Sequence, residues 1–397
     1  MNFDYFCAVS ERHEDDFEKL SKLESLYDEV KGDKNQRKKI NALYKNFSTT
    51  NPSLIYQYLD LHGQCNAEKF RSYWIEKWKK LCGLDVFKSF ERQFIPKLTT
   101  EYISMLPKHS FFLQFNFTLA APYISRDDEE FYICDNPIRK DKVFKIPMIS
   151  GSSWKGNIRW TAMKIFTDDL PEVIDKHSIG KCFDSRARVV RLFGHEKAII
   201  TDYLDSALAE AMSGDDKSQE KFRKFLVEKG YMNINVDGRR GRLNFYPTFF
   251  NQIGLEVINP HDRETKAGTL PIYIESVPVD ADGTFSLLYV PFDLMGKPEG
   301  KAKKEMADDL ELIRAALKDM MLIYGFSAKK SCGFGVAKNE LSDIFCEMNG
   351  IEIKKSPEKY IKQKYESMSF DNLESKIKAI IDELLNAGSS YSGENNV

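Results

Sequence analysis

The spacing of apolar residues divides the chain into two unlike parts. Before residue 105, apolar side chains recur every three or four positions, which places them on one face of a helix. The clearest series is Phe17, Leu20, Leu23, Tyr27 and Val30, and a later one is Phe70, Trp74, Trp78, Leu81 and Cys82. We therefore predict an N-terminal helical segment over residues 1–105.

After residue 110 the period of the apolar positions falls to two. Residues 112–119 alternate apolar and polar side chains, which predicts a strand with one buried face. A helix is predicted at 152–166, with Ser152 or Ser153 as its N-cap. Further strands are predicted at 242–248, 271–277, 284–292 and 333–338, and further helices at 301–324 and 370–387.

The order of these elements predicts the fold class. Strand, helix, several strands, helix and strand follow one another between residues 110 and 338, which is the order of a ferredoxin-like, RRM-like core of the α+β class. We place this core at 106–345, a C-terminal helical segment at 346–388 and a disordered tail at 389–397. The polar stretch 259–269 between two strands predicts a protruding hairpin or loop.

Composition narrows the classes of function. The chain has 58 Lys and Arg against 60 Asp and Glu, a net charge of −2, so affinity for a polyanion requires local clustering of basic residues. It has no uninterrupted apolar run of about 18 residues, which a membrane span needs, and no apolar signal-peptide core near Met1, so we expect a cytoplasmic protein. Its seven cysteines form no CxxC pair, which argues against a zinc cage and a disulfide framework.

The segment 149–156, Ile-Ser-Gly-Ser-Ser-Trp-Lys-Gly, is the first candidate for binding chemistry. It concentrates Gly and Ser at a predicted helix start, where backbone N–H groups and the helix dipole favour an anion such as phosphate. Lys155 adds a mobile positive charge in the first turn. An ordinary helix cap with solvated lysines is the alternative.

Three other segments combine basic residues with glycines or aromatic side chains. They are 188–194 with Arg191, 238–250 with Arg240 and Arg242 beside Phe245 and Tyr246, and 324–335 with Lys329, Lys330 and Ser331. Arginine beside aromatic rings suits phosphates and stacked bases, and glycines let the backbone approach a ligand. The alternatives are a buried turn for 188–194, a strand with solvated arginines for 238–250 and a plain loop for 324–335.

Asp135 is the candidate catalytic residue. It follows an apolar run at 131–134 and precedes Asn136-Pro137, after which basic residues begin. A carboxylate beside a phosphate-binding surface can orient a nucleophile or hold a divalent cation. The alternative is that Asp135 only forms a turn.

Taken together in their order, these segments resemble the RAMP superfamily of CRISPR proteins, most closely the backbone subunits of type III effector complexes. The resemblance covers about residues 110–340. The matching motifs are Ser-Ser-x-Lys-Gly at 152–156, Arg-Leu-Phe-Gly at 191–194, Gly-Arg-Leu at 241–243, Asp-Arg at 262–263, Glu-x-Val-Pro at 275–278 and Gly-Phe-Gly at 333–335.

The resemblance implies a ferredoxin-like core that grips guide RNA, with an inserted thumb hairpin that interrupts the guide–target duplex. It implies a catalytic role for Asp135, with Mg²⁺ as a cofactor. The RNA-binding residues that we predict are Ser152, Ser153, Lys155, Arg159, Arg191, Arg240, Arg242, Arg263, Lys329, Lys330 and Ser331. The expected partners are guide RNA, complementary target RNA and other CRISPR effector subunits.

The predicted function is therefore a guide-RNA-binding subunit that holds the guide–target duplex and cleaves target RNA. One alternative is a non-catalytic scaffold or capping subunit of the same complex. Another is a metal-independent endoribonuclease acting on the guide precursor, with His195 or His261 as general base.

Overall fold

The computed structural model describes about three fifths of the chain. The described residues are 82–83, 100–127, 136–142, 146–174, 178–195, 202–212, 217–232, 238–260, 264–265, 268, 272–349 and 365–389. Most of the predicted N-terminal helical segment and all of 390–397 lie outside these ranges. Asp135, His261, Asp262 and Arg263 also lie outside them.

The helices of the described part include those predicted at 152–166, 301–324 and 370–387, together with three between residues 179 and 228 that were not predicted. They are α1 (Thr100–Ser104), α2 (Gly151–Asp168), α3 (Ile179–Phe193), α4 (Asp202–Ala211), α5 (Ser218–Glu228), α6 (Glu299–Asp319) and α7 (Phe370–Ser389). A π-helical turn, Met320–Tyr324, extends α6, and a 3₁₀ turn occupies Lys330–Cys332. Among the described residues, no helix combines the length and the apolar character that crossing a membrane requires.

The strands of the described part form one large sheet and smaller pairs. They are β1 (Cys82–Gly83), β2 (Phe111–Leu119), β3 (Met148–Ile149), β4 (Gly194–His195), β5 (Arg239–Arg240), β6 (Leu243–Phe245), β7 (Thr248–Phe249), β8 (Gln252–Ile258), β9 (Ile272–Ser276), β10 (Asp282–Tyr289), β11 (Ala337–Met348) and β12 (Tyr365–Met368). The large sheet has the order β12-β11-β2-β10-β6, with every neighbouring pair antiparallel. The predicted α+β class is confirmed.

The main core lies between one face of this sheet and three helices. On β2, Leu113, Phe115 and Phe117 are buried, and the Phe115 ring stacks on Phe285 of β10 at 5.1 Å between centroids. The apolar faces of α2, α6 and α7 cover these side chains in the same hydrophobic cluster. A second, smaller cluster joins α3, α4 and α5. The burial of every second residue of β2 is the physical reason for its apolar alternation.

The structure also corrects the sequence predictions at three places. The helix predicted to start at Ser152 or Ser153 starts at Gly151, and Ser150 is its N-cap. The last strand, predicted at 333–338, runs from Ala337 to Met348, so the domain boundary predicted at 345 falls inside β11. The C-terminal helix α7 packs in the main core against α6, because its apolar stripe is buried by that helix and the sheet.

A separate antiparallel hairpin consists of β8 and β9. Its register runs from Gly254 opposite Ser276 to Ile258 opposite Ile272, and β1 pairs with the other edge of β8. The polar stretch that was expected to protrude connects these two strands.

Candidate nucleic-acid interface

The start of α2 is held by a serine cap and by close packing on β6. The Ser150 hydroxyl accepts the N–H of Ser153 at 3.2 Å and lies 2.8 Å from the hydroxyl of Ser152. A Cβ atom on Gly151 would collide with the carbonyl oxygen of Phe245, so only glycine lets the helix begin this close to the strand. Ser152 is exposed, and Lys155 is half-buried in the following turn.

The glycine-rich loop after the π-helical turn docks on α2. The Lys330 Nζ atom donates to Asn157 Oδ1 at 3.0 Å and lies 4.6 Å from the centre of the Trp160 ring. The Asn157 side chain in turn donates to the carbonyl oxygen of Phe326 at 3.2 Å. Burial lowers the pKa of the Lys330 ammonium group. Lys329 and Ser331, on either side of Lys330, are exposed.

The loop that follows β2 joins the glycine-rich loop to the segment upstream of α2. The Ser327 hydroxyl donates to the carbonyl oxygen of Ile124 at 2.8 Å and accepts the N–H of the same residue at 2.8 Å. The next residue, Ser125, accepts the N–H of Arg139 at 2.9 Å. These bonds fix three chain segments that lie far apart in the sequence against one another.

We define the α2–loop surface as the six predicted side chains that lie at the start of α2 and in the glycine-rich loop that docks on this helix. They are Ser152, Ser153, Lys155, Lys329, Lys330 and Ser331. The segments near 150 and 330 therefore lie together in space, whereas the basic residues near 240 do not join them. The direct link is the hydrogen bond from Lys330 to α2.

The sequence reasoning missed three residues that lie beside Lys330 of this surface: Asn157, Trp160 and Tyr324. The Trp160 side chain is 43% exposed, and its ring meets the Tyr324 ring edge to face at 5.1 Å. A signal was present, because the buried stripe of α2 consists of Trp154, Ile158, Thr161, Ala162 and Phe166, which leaves Trp160 on another face. A large aromatic residue away from the buried stripe of a helix is a candidate contact for a ligand.

Asp135 lies just outside the described residues, but the residues that follow it are anchored to β9. Asn136 donates through its side chain to the carbonyl oxygen of Tyr273 at 3.1 Å, and its own carbonyl accepts the N–H of Glu275 at 3.0 Å. The buried Glu275 carboxylate accepts the N–H of Ile138 at 3.1 Å and pairs with Lys140. The Glu-x-Val-Pro motif therefore holds the chain directly after Asp135.

Two of the predicted RNA-binding arginines, Arg191 and Arg242, lie in the protein interior, and the prediction for them is wrong. They are 3% and 2% exposed. The Asp309 carboxylate on α6 accepts hydrogen bonds from both guanidinium groups at 2.7 Å, and Glu305 also pairs with Arg242 at 2.7 Å. Burial alone would lower the pKa values of both arginines, but the Asp309 carboxylate outweighs it and raises them well above the usual range. These arginines stabilise the fold by attaching α3 and β6 to α6.

Asp293 lies at the solvent-exposed edge of this group of arginines and carboxylates, and its titration provides a test by pH. Burial raises the pKa of Asp293, but hydrogen bonds and charges from Arg242 and Arg239 outweigh it and bring the pKa down to about 2. The folded-state pKa lies below the ordinary value of 3.8, so the ionised carboxylate stabilises the fold above about pH 4, and this contribution is lost as the pH falls toward 2. We expect Asp293→Asn to cost about 2 kcal/mol at pH 6 and under about 1 kcal/mol at pH 2.5. Urea unfolding of wild type and Asp293→Asn at the two pH values measures the difference in their free energies of unfolding. A difference that does not change with pH would contradict the lowered pKa of Asp293.

The remaining predicted residues are dispersed. Arg240 is exposed and donates to Asn244 at 2.7 Å. Because Leu243 and Phe245 on either side of Asn244 pack in the core, Asn244 projects from the opposite face of the sheet, away from α2. Arg159 lines a cavity of about 30 Å³ beside α3. Arg240 therefore lies apart from the α2–loop surface, whereas Arg159 lies one helical turn after Lys155 on the same face of α2.

His195, the alternative general base, is 8% exposed in β4, where it pairs with Arg239 of β5. It lines the same small cavity as Arg159, beneath the side chains of α3 and α5. A general base must reach the proton that it removes, and a histidine enclosed in this way is poorly placed for an RNA substrate.

Among the described residues, no group of three or more His, Cys, Asp or Glu side chains is arranged to hold a metal ion. The Glu275 carboxylate, which contacts the segment after Asp135 through the N–H of Ile138, is already paired with Lys140. The described residues therefore do not by themselves form a site for Mg²⁺.

Comparisons with known proteins agree with the sequence motifs. The model of the RAMP superfamily matches residues 128–338, just over half of the chain. A search of curated proteins found no match.

Several solved structures are similar to the chain at low identity. One is a chain of the Type III-B Cmr-beta complex bound to cognate target RNA, at 16% identity, with 71% of this chain and 74% of that chain covered and a TM-score of 0.39. Another is Csm3 of Methanopyrus kandleri, at 15% identity, 72% and 98% coverage and a TM-score of 0.37. A third is Csc2 of Thermofilum pendens, at 13% identity, 74% and 85% coverage and a TM-score of 0.31.

The family match contains both halves of the α2–loop surface. It begins before α2, includes the β8–β9 hairpin and ends at Lys338, just after the glycine-rich loop. On the extent of this match, the chain belongs to the RAMP superfamily.

Proposed function

We propose that this chain is a guide-RNA-binding subunit of a type III CRISPR ribonucleoprotein effector. The observation that carries the proposal is the docking of Lys330 on Asn157 and Trp160 of α2. This contact gathers hydroxyl and ammonium groups from two distant parts of the chain on the α2–loop surface. Such groups bind the sugar–phosphate backbone of RNA and carry no base preference, so that sequence choice is left to pairing with the guide.

The exposed aromatic residues beside these cations support a single-stranded or splayed RNA as the ligand. Trp160 is partly exposed, and Tyr324 lies against it within the π-helical turn. Unpaired bases stack on aromatic side chains, while lysines next to them neutralise the phosphates. A π-helical turn is uncommon and is found mostly at functional sites, which fits its place at the start of the glycine-rich loop.

The proposal includes a ferredoxin-like core with a thumb. In chain order, β2, α2, β6, β10, α6 and β11 alternate as strand, helix, strand, strand, helix and strand. In the sheet, these four strands have the order β11-β2-β10-β6, so that the last strand in the chain, β11, lies beside the first, β2. The β8–β9 hairpin, whose connection contains Arg263, is the proposed thumb.

The proposal assigns target RNA cleavage to Asp135. Its support is indirect: Asn136 and Ile138 are anchored to β9 by Tyr273 and Glu275, which ties the segment after Asp135 to the base of the proposed thumb. RNA cleavage requires the 2′-hydroxyl in line with the scissile phosphate, and a carboxylate can help to orient that hydroxyl. Mg²⁺ is the expected cofactor of this reaction.

The partners in this proposal are guide RNA, complementary target RNA and other CRISPR effector subunits, in the cytoplasm. The formal charge of the chain is −2, so binding must depend on the local α2–loop surface.

RNA retention tests the binding proposal. We expect Lys155→Glu to weaken binding of a single-stranded RNA roughly tenfold and to reduce the slope of log K against log salt by about one, because a phosphate contact is replaced by repulsion. Lys224→Glu is the control, since Lys224 is an exposed lysine on α5 that lies 3.9 Å from Glu228. Filter binding between 50 and 300 mM salt measures the affinity and its salt dependence. Equal affinities and slopes for the two variants would refute RNA binding by Lys155.

Cleavage by the assembled complex separates the three functional readings. Complex formed on a guide is given matched target RNA and Mg²⁺, with wild type, Asp135→Ala and His195→Ala compared. Loss of cleavage in Asp135→Ala with RNA retention intact supports a catalytic subunit, and absence of cleavage in wild type supports a scaffold. Cleavage of guide precursor by the isolated protein in EDTA would instead favour the metal-independent endoribonuclease.

A further inference from the structure

A polar cleft lies between α3 and the first half of α6, apart from the residues of the α2–loop surface. It has a volume of about 460 Å³, within the range of small-molecule sites, which is about 300–1,000 Å³. Lys229 and Tyr231, which follow α5, line its third side. The Arg-Leu-Phe-Gly segment contributes Arg191 to this cleft, so a motif that the RNA surface leaves unused has a place here.

The cleft is cationic although the chain as a whole is slightly acidic. Five of its lining side chains near the surface are basic, and two are acidic, when the buried pair of Arg191 and Glu305 is set aside. The basic residues are Lys181, Arg188, Lys229, Lys301 and Lys304, and the acidic residues are Asp184 and Asp308. Like charges around a cleft repel one another, and an anion bound between them would relieve this repulsion.

The ion pairs around the cleft are loose. Arg188 lies 3.6 Å from Asp308, Lys229 lies 3.8 Å from Asp184, and Lys301 lies 3.9 Å from Glu305. Tight charge-assisted hydrogen bonds are about 2.7–2.9 Å long, so these cations can turn toward a ligand at small cost. Lys181 and Lys304 are exposed and make no ion pair within 4 Å among the residues described.

The spacing of these residues explains why the cleft stays open. Lys181, Asp184 and Arg188 lie on one face of α3, and Lys301, Lys304 and Asp308 repeat the same spacing on α6. Helices that pack tightly bury apolar side chains on their facing sides, whereas these two faces are charged. The floor is rigid, because Arg191 and Tyr231 are buried and bonded to the Asp309 and Glu305 carboxylates.

We propose that this cleft binds a ligand of nucleotide size that carries at least two phosphate groups. Lysines at the rim act as point charges for phosphate, and the separate rows on α3 and α6 can each contact one group. The ligand is either a free nucleoside polyphosphate or the phosphates of an RNA strand, which share this chemistry. The site does not depend on the proposed function of the α2–loop surface.

Binding of inorganic tripolyphosphate and of ATP by the full chain tests the site. The variant is Lys181→Glu with Lys304→Glu, and the matched control is Lys224→Glu with Lys378→Glu, which reverses two lysines outside the cleft lining. All four side chains are exposed, so both variants keep the fold, and thermal unfolding checks this. Titration calorimetry is expected to show binding to wild type and control and roughly tenfold weaker binding to the cleft variant.

Competition distinguishes the two sources of phosphate. RNA and ATP are each tested as competitors of tripolyphosphate bound to the wild-type protein. If a short single-stranded RNA displaces tripolyphosphate and ATP does not, the cleft serves RNA. If ATP displaces it and the RNA does not, the cleft serves a free nucleotide. Both results support the site. The proposal is overturned if tripolyphosphate and ATP fail to bind wild type, or if the cleft variant binds as well as the control.

Discussion

Replacing Asp309 by Asn is expected to lower the free energy of unfolding by about 3–5 kcal/mol, the cost of leaving buried charges without their partner. Asp309 is fully buried and accepts hydrogen bonds from Arg191, Arg242 and Tyr289. The substitution keeps the shape of the side chain but removes its charge. Among the carboxylates of the described residues, Glu305 and Asp293 would then remain to neutralise the two guanidinium groups.

The neighbouring residue supplies a matched control for this prediction. Asp308 lies one position earlier on α6, is about one-third exposed and sits 3.6 Å from Arg188. Burial raises the pKa of Asp308, so its charge is not strongly stabilised, and we expect Asp308→Asn to change stability by less than about 0.5 kcal/mol. Denaturant unfolding of both variants measures the difference. A cost below about 1 kcal/mol for Asp309→Asn would show that the arginines do not depend on this carboxylate.

Gly335→Ala is expected to cost about 2–4 kcal/mol and to weaken RNA binding, because the new methyl group has no room. Gly335 has a φ of +67°, and a Cβ atom there would collide with the Ser327 side chain and lie 2.8 Å from the Ser327 backbone nitrogen. Ser327 is the residue that ties the glycine-rich loop to Ile124. Displacing Ser327 would therefore shift Lys330 away from α2.

Gly333→Ala is the natural comparison, since Gly333 belongs to the same Gly-Phe-Gly motif. Its φ is +80°, but no atom lies within 4 Å of the position a Cβ would take. We expect only the backbone strain of a left-handed alanine, about 1 kcal/mol, with RNA binding close to wild type. Thermal unfolding and RNA retention of the two variants are measured side by side. Equal losses for both would mean that contact with Ser327 does not hold the loop.

The basic residues of these motifs have two different roles, one in the protein interior and one at the surface. Arg191 and Arg242 act inside the protein, through Asp309, whereas the lysines near Gly335 lie at its surface. Loss of Asp309 should therefore appear mainly in stability. Loss of Lys155 should appear mainly in RNA binding and its salt dependence.

The sequence by itself determined the elements whose signal is local. The alternation in β2 and the helical stripe of α2 follow from the period of side chains along one element, so their positions were predicted to within a residue or two. The glycines at 333 and 335 also favoured a glycine-rich loop, and their positive φ values explain why the strand predicted from residue 333 begins only at Ala337.

Only the tertiary structure decided which basic residues face solvent. Arg191 and Arg240 look alike in the sequence, yet one is enclosed by carboxylates and the other is exposed. Asp309, the partner of Arg191, lies 118 residues further along the chain, on a helix whose charged residues resemble an ordinary solvated face. The fate of an arginine depends on the charge that long-range folding brings to it, and the spacing of its neighbours in the chain does not contain that information.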